Sequence, residues 1–183
     1  MTRLSQRDWV AAGFRALASK GPQALKAEPL ARDLKTTKGS FYWHFKDVPT
    51  FQAAMITFWE EKATGEIITL LDALPTPDSK LRTLSQIATE PQGTHGGIGA
   101  EPAIRAWAKS DQNVAPAVRR VDAARLTQLS AIFADMKLTN PDLPRLFYAG
   151  LIGLQEIADG DDGASAAPLA TLTDLMIALS ETD

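Results

Sequence analysis

The eleven residues from Thr36 to Lys46, Thr-Thr-Lys-Gly-Ser-Phe-Tyr-Trp-His-Phe-Lys, constrain this chain most, because no comparable run of aromatic and basic residues occurs elsewhere in it. Thr37 is a good N-cap, its hydroxyl placed to accept an amide proton from the first turn of a helix. Small Gly39 and Ser40 let that turn approach another backbone closely. Phe41 and Phe45 are four apart, share one face, and form its buried anchor. Lys38, Ser40, Tyr42, Trp43, His44 and Lys46 are then left on or near the outer faces. Aromatics exposed beside cations and hydroxyls suit a phosphate backbone and groove edge, where Tyr and His donate to phosphate and Lys supplies charge.

An aromatic run could equally be a knot inside a helical core, and its neighbours decide between the two readings. Upstream, Leu30, Ala31 and Leu34 give a short apolar face over residues 27–34, separated from the aromatic helix by Lys35 and Thr36 alone. That is helix-turn-helix spacing. Downstream, Asp47 is an N-cap and Pro49 falls in the first turn of the next helix. Upstream again, Ser5-Gln6-Arg7-Asp8 resembles a capping box with Asp for Glu, and Trp9, Val10, Gly13, Phe14 and Leu17 follow at helical spacing up to Gly21-Pro22.

Trp9 to Trp59 thus resembles the DNA-binding domain of the tetracycline-repressor (TetR) family of bacterial regulators. Leu30-Ala31, Thr37 to Tyr42 and His44-Phe45-Lys46 stand at that family's most recognisable positions, over about a third of the chain. The resemblance implies an all-α homodimer that binds a palindromic double-stranded operator and releases it when a small molecule enters the larger domain. It also marks three departures. Lys35 stands where the family usually has Gly, which asks a non-glycine residue to adopt a left-handed conformation at a cost of about 1 kcal/mol. Leu25-Lys26-Ala27 offers only Lys26 to phosphate before the second helix, and Val48 replaces a basic residue.

Charge agrees with a DNA-binding head on a body that stays off DNA. The net charge is −3, yet residues 1–46 hold nine Lys and Arg against three acidic residues, leaving ten against nineteen for the rest. We therefore expect a three-helix head over 1–46 and a helical ligand-binding and dimerisation domain over 47–183, about nine helices in all. The head's DNA-binding residues are expected to be Lys26, Thr37, Lys38, Gly39, Ser40, Tyr42, Trp43, His44 and Lys46. Alanine outnumbers valine 29 to five, which favours helix over sheet.

Along the body, the apolar pattern from Phe51 through Leu74 reads as one long helix bent at Gly65, followed by a helix with Leu81, Leu84 and Ile87. A Gly-rich loop over 91–99 fits neither a Rossmann fingerprint nor a phosphate loop, since no strand precedes it. Met55, Trp59, His95, Trp107 and Phe133 are candidate lining for a ligand pocket, which points to a hydrophobic or aromatic inducer. Two late helices apolar on more than one face suggest subunit association through Leu126, Leu129, Phe133, Leu146, Phe147, Gly150 and Leu154. Asp159 to Gly163 begins like a calcium loop, but Ala170 stands at the twelfth position, where a bidentate Glu is needed.

The alternative to an inducible regulator is a DNA-binding protein without a ligand, architectural or constitutive. Enzymatic function is not expected. There is no cysteine, and the two histidines form no His-x-x-x-His and accompany no Gly-x-Ser-x-Gly. No metal or cofactor is expected. The N-terminus lacks an apolar signal core and no apolar run reaches membrane-spanning length, so the expected place is the cytoplasm.

Overall fold

The computed structural model describes residues 4–89, 100–157 and 165–181. Every regular element among them is helical. In order they are α1 (Gln6–Lys20), a 3₁₀ turn (Pro22–Ala24), α2 (Ala27–Asp33), α3 (Lys38–His44), α4 (Val48–Glu61), a π turn (Lys62–Glu66), α5 (Ile67–Asp72), α6 (Pro77–Thr89), α7 (Glu101–Ala108), α8 (Ala115–Asp135), α9 (Leu143–Ile157) and α10 (Ala166–Ser180). With α4, the π turn and α5 counted as one, the described residues hold nine α-helices. Gly65, where a bend was expected, falls within that π turn, and the Thr69 hydroxyl donates to its carbonyl at 2.9 Å.

The helices group into two compact units. The first combines residues 1–63 with 92–119, the second 64–91 with 120–183.

Local caps set the limits of the first unit's helices. Ser5 and Asp8 close the capping box on α1, the Ser5 amide donating to Asp8 Oδ2 at 2.7 Å and the Asp8 amide to Ser5 Oγ at 3.4 Å. Gly21 ends the helix at φ 75°, its amide donating to the Leu17 carbonyl. Between α2 and α3, Lys35 does adopt the left-handed conformation, at φ 52°. Its amide donates to the Arg32 carbonyl and that of Thr36 to Ala31, so the carbonyls at the end of α2 are satisfied in a Schellman arrangement. Lys137 repeats the device at φ 62° after α8, which the sequence did not signal.

Seven-residue helices such as α2 and α3 do not persist alone, and burial has to hold them. Phe41 does this for α3. Its ring meets Trp9 of α1 at 5.4 Å, Phe45 at 5.4 Å and Phe51 of α4 at 5.3 Å, with Phe45 and Phe51 themselves 5.0 Å apart. Gly13 brings α1 against α4. A Cβ there would lie 2.6 Å from both Met55 Sδ and Phe51 Cζ. Within the protein nothing approaches Gly39 closely: a Cβ on it would meet only Thr37 Oγ1 at 3.7 Å.

In the second unit α6 and α10 share a polar seam. The hydroxyls of Ser85 and Thr173 are buried 2.5 Å apart, one donating to the other while the donor left free bonds back to the carbonyl one turn earlier in its own helix, Leu81 or Leu169, and Arg82 pairs with Asp174 at 2.6 Å. Phe133 of α8 packs edge-on against Phe147 of α9. Between the same helices the Tyr148 hydroxyl donates to Asp122 Oδ1 at 2.7 Å. Gly150 admits Leu172 of α10, which would stand 2.9 Å from an added Cβ, whereas Gly153 faces nothing within 4 Å.

Gly13→Ala is expected to destabilise the chain by about 1–3 kcal/mol, because Phe51 and Met55 have to leave their packed positions. Gly39→Ala should cost nothing. Urea unfolding of the two variants side by side measures the difference.

Candidate nucleic-acid interface

The aromatic stretch folds as a helix that is apolar on one side and bare on the other. Thr37 is its N-cap, Oγ1 accepting the Ser40 amide at 3.3 Å. Phe41 and Phe45 are buried as expected, while Tyr42 is 48% and Trp43 81% exposed. Lys38, Gly39 and Lys46 are exposed with them, and Ser40 and His44 half-exposed. Lys26 is exposed at the N-cap of α2, where its side chain makes no capping bond. A largely apolar indole left in water beside a tyrosine is uncommon on a solvated helix and is what makes α3 the candidate surface for a partner.

Two carboxylates frame this helix without lying on its outward face. Asp8 is held below the usual carboxylate range, first by the Ser5 backbone amide, then by the Ser5 hydroxyl, with a smaller contribution from the charge of His44. Asp47 caps α4, accepting the Thr50 amide at 2.8 Å, and is lowered by hydrogen bonds from Thr50 and more weakly by the neighbouring Lys46. Arg15 and Arg32 are engaged by Asp33 and Glu28, at 3.1 Å and 3.5 Å. Arg7, Lys20, Lys26, Lys35, Lys38 and Lys46 are exposed.

One contact to α3 was not signalled by the sequence. The Gln6 side-chain amide donates to the His44 carbonyl at 3.0 Å, across 38 residues of chain. A shallow groove of about 170 Å³ also lies on the head, lined by Arg15, Ser19, Lys20, Pro29 and Leu30 among others, none of them on α3.

The expected pocket residues Met55, Trp59, Trp107 and Phe133 are all buried. Met55 fills the notch at Gly13, Trp107 donates from Nε1 to Asp111 Oδ2 at 3.0 Å, and Phe133 stacks on Phe147. His95, the Gly-rich loop and the acidic segment 159–163 lie outside the described residues. Of the residues expected at a subunit interface, Leu129, Phe133 and Phe147 are buried within the protomer, Leu126, Gly150 and Leu154 are half-buried, and Leu146 is 62% exposed. Whereas those residues lie on α8 and α9, Ile157 on α9 and Leu175 and Leu179 on α10 are exposed apolar residues that sequence reading did not single out for that role.

The head is therefore a helix-turn-helix domain, in a chain whose other described elements are also helices. Residues 10–47 match the bacterial regulatory proteins of the tetR family, so the chain carries the N-terminal domain of that family. No curated protein sequence matches the chain. Three solved structures show the fold over its full length. A candidate transcriptional regulator from Saccharomonospora viridis, in complex with choline, is 13% identical with a TM-score of 0.77, covering 93% of this chain and 94% of its own. A TetR transcription regulator from Haloarcula marismortui is 17% identical with a TM-score of 0.72, covering 97% and 96%. The fatty acid degradation regulator FadR from Bacillus halodurans is 13% identical with a TM-score of 0.71, covering 97% of each chain. All three of these solved proteins are described as regulators. Among the described residues no helix is long and apolar enough to cross a membrane.

Acid should loosen the head in a defined sense. Carboxyls depressed in the folded state stabilise it above their unfolded pKa, and the contribution disappears as pH falls through the folded value. Asp8 and Asp47 therefore steepen the loss of stability below about pH 4. Asp8→Asn should lower the melting temperature at neutral pH and converge on the parent protein in acid. Melting curves between about pH 6 and pH 2 test this.

Proposed function

We propose that this chain is a ligand-responsive transcriptional repressor that binds a palindromic operator as a homodimer and is released by a small-molecule inducer. The observation that carries the reading is α3 itself, anchored by buried Phe41 and Phe45 and presenting exposed Tyr42, Trp43, Lys38 and Lys46. Lys38 and Ser40, with Thr37 and Trp43, read base edges in the major groove, and Gly39 lets the helix start lie close to the duplex. Tyr42, His44 and Lys46 hold phosphates, joined by Lys26 from the start of α2. In this reading residues 1–46 form the DNA-binding head and 47–183 the body that takes ligand and partner.

A two-fold operator calls for two heads about one helical turn apart. Exposed Leu146, Ile157, Leu175 and Leu179 on α9 and α10 support the second copy of the chain as what covers that face. The inducer acts by linkage: a molecule that favours the conformation with mis-spaced heads lowers operator affinity by the same factor that the operator lowers its own. The choline held by the Saccharomonospora viridis protein supports a small organic molecule in this role. For this chain, the apolar and aromatic side chains that the sequence offers as pocket lining favour a hydrophobic or aromatic one.

Selection of bound fragments from sheared genomic DNA at two salt concentrations tests the proposal. A discrete palindromic site whose affinity falls steeply with salt supports it, and recovery of random fragments alone counts against it. On the recovered site, Tyr42→Ala should weaken operator and random DNA alike. Lys38→Ala should cost about 1–3 kcal/mol on the operator and less on random sequence. Equal losses on both for Lys38→Ala would remove it from base readout.

A further inference from the structure

The C-terminal carbonyls of a helix have no partner within it, and in a helix as short as α3 they make up half its length. One return bond is made inside the turn, from the Phe45 amide to the Phe41 carbonyl at 3.0 Å. The carbonyl of His44 is reached from another helix altogether, by Gln6 Nε2 at 3.0 Å. Gln6 is the first residue of α1, and the capping box of Ser5 and Asp8 on either side fixes the backbone from which its side chain extends. The Asp8 carboxylate is also near enough to respond to the charge on His44. The start of α1 and the end of α3 are thus joined at one point, directly after Trp43, the most exposed aromatic of the chain.

We infer that Gln6 is a positioning residue for the reading helix: by tying the His44 carbonyl to the start of α1 it fixes the direction in which Trp43, His44 and Lys46 are presented. The inference rests on the DNA-reading role proposed for α3. Gln6 need not touch DNA to affect discrimination. Phe41 and Phe45 fix the depth of the helix through their buried rings, and the amide bond adds a polar restraint on the outer side of its C-terminal end. The bond is at the surface, so its net worth is that of one ordinary hydrogen bond, about a two- to fivefold change in an equilibrium.

The test uses the full-length protein with Gln6→Met, which keeps length and flexibility but donates nothing, and Gln6→Glu, which sets a carboxylate against the carbonyl. Without DNA, hydrogen exchange at the Phe45 amide should quicken by about two- to fivefold in Gln6→Met and more in Gln6→Glu, with the melting temperature unchanged. Trp9, Trp59 and Trp107 are buried, so acrylamide quenching isolates Trp43, whose fluorescence anisotropy should fall in both variants. With the selected operator, the ratio of operator to random-DNA affinity should fall by a similar factor. Unchanged exchange and unchanged anisotropy in both variants overturn the inference. So does an equal loss on both DNAs with unchanged exchange, which would make Gln6 a phosphate contact. If the parent protein selects no site, the DNA-reading role fails, while exchange and anisotropy still decide whether Gln6 restrains α3.

Discussion

The packing of Phe41 is the interaction on which the head depends. Neither α2 nor α3 has the length to persist by backbone bonding, and a helix that must leave Tyr42 and Trp43 in water has few apolar residues to bury. One ring in contact with Trp9, Phe45 and Phe51 supplies what propensity cannot. Edge-to-face contacts of this kind are worth about 0.5–1.5 kcal/mol each beyond the area they bury. They also have direction. A ring held edge-on from α1 and from α4 cannot turn about its own axis without losing one contact, so the cluster orients α3 as well as retaining it.

That orientation separates two kinds of residue along one seven-residue helix. The side toward α1 and α4 is apolar, while the side away from them carries hydroxyl, amine and indole groups without internal obligations. Its cations stay available because the acidic residues nearby are occupied elsewhere: Asp8 with Ser5, Asp47 with Thr50, Asp33 with Arg15 and Glu28 with Arg32. A positive surface is thereby kept on a chain whose net charge is negative.

What was legible in the sequence was what is decided locally. The caps at Ser5, Thr37 and Asp47, the stop at Gly21, the left-handed Lys35 and the anchor pair Phe41 and Phe45 each depend on residues within one or two turns, and each appears in the structure. The contacts that escaped are long-range. Gln6 is an ordinary polar residue until α3 folds back beside it, and Ser85 and Thr173 are helix positions of no particular character until α6 and α10 meet. At Gly39 the sequence suggested a close approach to another backbone, and the protein itself places none there. The exposed Ile157, Leu175 and Leu179 were visible as apolar residues, but which side of a helix apolar on several faces remains uncovered is fixed only by what packs on the other sides.

Gly13 gives the head a mechanical character. Because its missing side chain receives Phe51 and Met55 together, α1 and α4 fit like a key in a keyway. Sliding one along the other would take Phe51 and Met55 out of that notch, and close-packed interiors resist such intermediate positions. Small displacements are therefore shared. The first turns of α4 touch both α1 at Gly13 and the aromatic cluster that carries α3, so one helix is the common support of the other two.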